Sequence, residues 1–102
     1  MKLEFYSIEK LKKEILEIIG KYLPQNSYRV FFFGSRVKGT NFLRSDIDIG
    51  IDGPKEIPAE IKLKIEEEIE NLPTLYKIDI VDFKEVSDEF KKEAFKDIEY
   101  VK

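Results

Sequence analysis

An α/β sandwich, with helices over one face of a small mixed sheet and acidic residues on the other, is the fold class this sequence predicts. Three observations carry it. Apolar residues recur at helical spacing in three stretches, around 8–22, 58–72 and 87–101. Short apolar runs of strand character separate them, at 28–33, 46–51 and 75–83. Two of these runs alternate acids with isoleucine, Asp46-Ile47-Asp48-Ile49-Gly50-Ile51 and Lys77-Ile78-Asp79-Ile80, the period-two mark of a strand with one apolar and one polar face. The order α-β-β-α-β-α then fits one layered domain over residues 1–102.

Each element has its local reason. Ser7 suits the N-cap of the first helix, Ile8, Leu11, Ile15, Ile18, Ile19 and Tyr22 form its apolar stripe, and Gly20 and Pro24 set its end. Gln25-Asn26-Ser27 reads as a turn. Tyr28 to Phe33 is predicted as a strand buried on both faces, because its apolar run is nearly unbroken. Gly34-Ser35 closes it, a basic loop from Arg36 to Arg44 follows, and the acidic strand ends at Asp52-Gly53-Pro54, with Asp52 as a turn residue. Pro58 fits the first turn of a second helix whose stripe is Ile61, Ile65, Ile69 and Leu72, and Pro73 stops it. Glu66-Glu67-Glu68 in that helix point in different directions, so they read as a solvated face and not a metal cluster. A third strand is expected over Leu75 to Phe83, and Ser87 caps a last helix with Phe90, Ala94, Ile98 and Val101 inward.

Composition narrows the chemistry. A net charge of −3 argues against a general nucleic-acid coat, since there is no basic surplus to displace counter-ions. With no cysteine and no histidine, the chain has no disulfide, no thiolate site and no imidazole base. Metal ligands must be oxygens, which favours Mg²⁺, with Mn²⁺ as the alternative, over Zn²⁺. The amino-terminal MKLEFYSIEK lacks the apolar core of a secretory leader and no run is long enough to span a bilayer, so the expected location is the cytoplasm, with no membrane partner.

Periodicity then selects among the acids. If Ile47, Ile49, Ile78 and Ile80 face the helices, Asp46, Asp48 and Asp79 share the opposite face, whereas Asp82 falls on the isoleucine side as a strand-end or turn acid. Three carboxylates on one spot suit two divalent ions about 3.5–4 Å apart, the arrangement that clamps attacking and leaving oxygens in phosphoryl transfer. Asp46 and Asp48 would bridge the ions, and Asp79 would bind the one nearer the nucleophile and help take its proton. Gly34 lets backbone approach a phosphate, Ser35 and loop N–H groups donate to it, Arg36 and Lys38 neutralise a triphosphate, and Gly39 turns the loop back. The GxxxxGK[ST] pattern of ATPase phosphate loops is absent. Each signal alone has an ordinary explanation: Gly-Ser after a strand is usually a turn, and Asp-x-Asp is usually a solvated sheet face. Their joint order and facing shift the balance.

Those residues resemble a known family. Gly34-Ser35, ten intervening residues and Asp46-Ile47-Asp48 look like the GSx10DxD signature of the polymerase-β-type nucleotidyltransferases, and Asp79 matches the family's third acid. The resemblance covers about residues 7 to 83, and within the superfamily it is to the minimal nucleotidyltransferases, the MntA-type antitoxins encoded beside HEPN-domain toxins. It implies a polymerase-β-like nucleotidyltransferase fold that uses Mg²⁺ and ATP to transfer AMP to a tyrosine of the HEPN partner. Carried over, Asp46, Asp48 and Asp79 are the catalytic metal ligands, and Gly34, Ser35, Arg36, Lys38 and Ser45 the nucleotide-binding set. A chain this short holds no domain for the acceptor, so a partner should bring it, docking on Phe90, Phe95 and Tyr100; self-association is an open addition. The alternatives are a catalytically silent antitoxin that neutralises by binding, and a stand-alone transferase acting on a small molecule or an RNA end.

Overall fold

The computed structural model describes residues 1, 3–39 and 46–101, leaving aside the side chains of Ser35 and Lys38. Along the described chain run α1 (Ile8–Gly20), β1 (Arg29–Phe33), α2 (Ser35–Lys38), β2 (Ile47–Asp52), α3 (Ala59–Glu70), β3 (Ile78–Asp82), α4 (Asp88–Ala94) and β4 (Glu99–Tyr100). The strands form one mixed sheet in the order β3-β2-β1-β4. β1 is antiparallel to both β2 and β4, and β2 and β3 are parallel, their crossover made by α3.

The helices start where their caps dictate. The Ser7 hydroxyl accepts from the Lys10 N–H, and that of Ser87 from the Phe90 N–H. Pro58 stands at the N-cap of α3, its missing N–H no loss there. Leu11, Ile15, Ile18 and Ile19 of α1 and Ile65 and Ile69 of α3 are buried against Val30, Phe32, Ile47, Ile49, Ile51 and Ile80 of the sheet. That layer is the main core. Glu68 of α3 pairs with Lys21 and Tyr22 just beyond α1, so this acid ties the two helices together. Among the described residues no helix is long and apolar enough to cross a membrane.

The opposite face differs from expectation in one respect. It carries the acids at one end, but at the other Phe31, Phe33 and Phe83 form a second core, with Val81, Ala94, Phe95 and Ile98 packed on it. α4 therefore lies on the acidic side of the sheet. Gly50 makes this possible: a Cβ there would sit 2.5 Å from the Phe31 ring and 2.7 Å from the Phe83 ring.

The last helix is also shorter than predicted. It stops at Ala94, and Glu99–Tyr100 pairs with β1 instead of continuing the helix. The chain end satisfies backbone groups on the edge of β1 that would otherwise be left without partners. Strand alternation then sends Ile98 to the aromatic core and Val101 to the main one.

Candidate active site

The site is built by register. β2 and β3 run parallel with Asp48 level with Asp79, so the two carboxylates stand side by side on neighbouring strands. Asp46 precedes β2 by one residue and shares the face of Asp48, about 6.6 Å further along the strand. Ile47, Ile49 and Ile80 are buried in the main core, as the alternation requires. Asp82 points the other way and is buried: its carboxylate accepts from the Ile57 N–H at 2.8 Å and the Lys84 N–H at 2.9 Å. It is a turn acid. Asp52 is not the turn residue expected; it ends β2 and pairs with Arg29 of β1 at 2.6 Å and with Lys84 at 3.7 Å.

The three acids act on one another electrostatically. Burial pushes the half-buried Asp48 carboxyl above its ordinary value, and the charges of Asp79 and then Asp46 push it further. A cation relieves such repulsion. The donors are all oxygen, in a chain with no histidine or cysteine, so their chemistry fits a hard divalent ion. Among the described residues no three acids are drawn into a closed metal-ligand group. Lys77 lies between two of them instead, its Nζ 4.0 Å from Asp46 Oδ2 and 4.0 Å from Asp79 Oδ1.

The Gly-Ser turn meets these acids directly. Gly34 has φ +85°, and a Cβ on it would lie 2.4 Å from Asp48 Oδ2. Both the backbone conformation and the space require glycine. Gly34→Ala is expected to cost about 1–2 kcal/mol in urea unfolding from the left-handed conformation alone. It should also displace the Asp48 carboxylate, which a shifted carboxyl-carbon resonance of Asp48 would report.

Residues 35–38 form a helical turn where a loop was expected, and it turns Arg36 inward. Arg36 is only 4% exposed, with its guanidinium carbon 4.6 Å from the Tyr76 ring centre. A guanidinium is planar and weakly hydrated, so it tolerates an aromatic face better than an ammonium would. Tyr76 is held in turn by the Glu4 and Phe5 N–H groups, which donate to its hydroxyl. The Ser35 and Lys38 side chains, and all of Arg44 and Ser45, fall outside the described residues. Lys77 and Tyr76 were not singled out as site residues. For Lys77 the signal was present: it stands two residues before Asp79 and so shares its face.

Comparison with known proteins gives this site its class. Residues 13–101 match the family described as polymerase beta, nucleotidyltransferase, and the chain belongs to it. The protein is thus a nucleotidyltransferase. It is similar to the "Probable protein adenylyltransferase MntA" of Haemophilus influenzae, 34% identical over 86 residues that cover 80% of this chain and 74% of that one. Its fold matches a chain in the crystal structure of a toxin–antitoxin with AMP-PNP at a TM-score of 0.72, with 18% identity, covering 89% of this chain and 72% of that one. It also matches a chain in the complex of tri-AMPylated Shewanella oneidensis HEPN toxin with MNT antitoxin, at a TM-score of 0.71 and 14% identity, covering 94% and 72%. At those identities the two structures establish a shared fold.

Proposed function

We propose that this protein transfers AMP from ATP to a tyrosine hydroxyl of a HEPN-domain toxin and so serves as its antitoxin. The observation that carries the reading is the juxtaposition of three elements: the Asp48–Asp79 register, the Asp46 charge beside it, and the Gly34 backbone closed against the Asp48 carboxylate. Similarity to MntA and to the HEPN–MNT complex supports the acceptor and the role.

Asp46, Asp48 and Asp79 would hold Mg²⁺, two ions in this reading, and the metal when bound would supply Lewis acidity to the phosphates of ATP. The backbone at Gly34 and Ser35 donates to the triphosphate, helped by Lys38 and Ser45. Arg36 contributes through the turn that it supports from beneath. Asp79, on an edge strand, takes the proton of the acceptor hydroxyl as its oxygen attacks the α-phosphorus. The bond from that phosphorus to the bridging oxygen breaks, and pyrophosphate leaves with the electron pair. Phe90 and Tyr100, 42% and 48% exposed, remain accessible for partner contact, whereas Phe95 is drawn into the aromatic core.

The test is incubation with α-labelled ATP, Mg²⁺ and a HEPN-domain toxin. The partner should become labelled on tyrosine, and Asp79→Asn should abolish the label. Protection of cells by Asp79→Asn at the wild-type level would leave occlusion, not AMP transfer, as the antitoxin mechanism.

A further inference from the structure

We infer that Lys77 is a built-in counter-ion of this site, a positioning residue whose ammonium occupies the charge position between Asp46 and Asp79 until a divalent cation displaces it. The inference rests on the reading of these acids as metal ligands. Its basis is the geometry: one nitrogen lies at the same 4.0 Å from carboxylates of two different chain segments.

The lysine is anchored at one end only. Its carbonyl accepts from the Ile47 N–H at 2.9 Å, which fixes its backbone at the point where β2 and β3 begin to pair. Its side chain is 72% exposed. An ion pair this open adds little to stability, so releasing it costs little. A divalent ion carries twice the charge and accepts carboxylate oxygens directly, so it wins the position whenever it arrives with enough other ligands. A triphosphate supplies those ligands, and its oxygens offer the released ammonium a new partner at the rim. Metal should therefore bind weakly to the protein alone and more tightly as a metal–nucleotide complex.

The experiment is Mn²⁺ binding to nucleotide-free protein, followed by paramagnetic resonance of the unbound ion. Lys77→Met should tighten binding about tenfold at low salt. The gain should shrink as ionic strength rises. Lys77→Arg, which keeps the charge, should stay near wild type. Lys84→Met removes the same charge at the far end of β2, beside Asp52, and should also leave affinity near wild type. Unchanged binding in Lys77→Met, or an equal gain in Lys84→Met, overturns the inference. Asp48→Asn separates the two levels of the argument. If it binds Mn²⁺ as wild type does, the metal-ligand reading fails and the counter-ion with it. If it loses Mn²⁺ while Lys77→Met gains nothing, only the counter-ion fails.

Discussion

Asp48→Asn is expected to lower AMP transfer by roughly a thousandfold and, in the same protein, to raise the melting temperature at neutral pH. The first effect follows from removing a charge that metal-assisted phosphoryl transfer needs, a contribution of several kcal/mol to the barrier. The second follows from the direction of the Asp48 shift. Burial and the charges of Asp79 and Asp46 raise its folded-state value above the ordinary 3.8, so the native protein holds this proton more tightly than the unfolded chain does. Below 3.8 both states are protonated and Asp48 costs the fold nothing. As pH rises through the raised folded value the cost develops, and above it the cost is complete. The amide carries no such cost. Melting curves of the two proteins should therefore converge at low pH and separate at neutral pH, with the variant the more stable. A variant less stable than wild type at pH 7 would show that Asp48 is not strained by its neighbours. Its carboxylate is half exposed, so the separation should be modest and should narrow with salt.

Phe31→Ala is expected to cost about 3–5 kcal/mol in denaturant unfolding, a large part of the roughly 5–15 kcal/mol that holds a domain of this size together. Phe31 is fully buried. Its ring lies 4.9 Å from that of Phe83, 5.4 Å from Phe95 and 6.2 Å from Phe33, the first edge-on and the others tilted. It also covers Gly50, so its loss opens a void against bare backbone. β1 carries Phe31 two residues before Phe33, which leads directly into Gly34, so the same loss should loosen the turn against Asp48. Transfer should fall along with stability. A cost below 1 kcal/mol would mean that the aromatic layer is not a true second core.

How much of this was legible beforehand divides along the range of the forces involved. Ser7 and Ser87 could be assigned as caps because a cap is a contact over three residues. Asp79 could be separated from Asp82 because strand alternation needs only the identity of neighbours. The end of the chain was misread for the same reason. Phe90, Ala94, Ile98 and Val101 satisfy helical spacing, yet the edge of β1, about 70 residues upstream, pairs with Glu99–Tyr100 and turns the segment into a strand. Arg36 was expected to meet a triphosphate because it follows Gly34-Ser35 in a basic loop, and the Tyr76 ring that receives it is 40 residues away along the chain.

By itself the sequence determined which residues face together within each strand, since that depends on a two-residue period carried by the backbone. It therefore settled that Asp46 and Asp48 share a face, and that Asp79 opposes the isoleucines beside it. Only the tertiary structure decided that these two faces meet. The parallel register of β2 and β3, enforced by burying Ile47, Ile49 and Ile80 in one layer, brings Asp79 level with Asp48, since a shift by one residue would expose the isoleucines to water. The same packing closes Gly34 on Asp48 and swings α4, with Phe90 and the adjoining Phe95, onto the acidic side, long-range outcomes that no local pattern encodes.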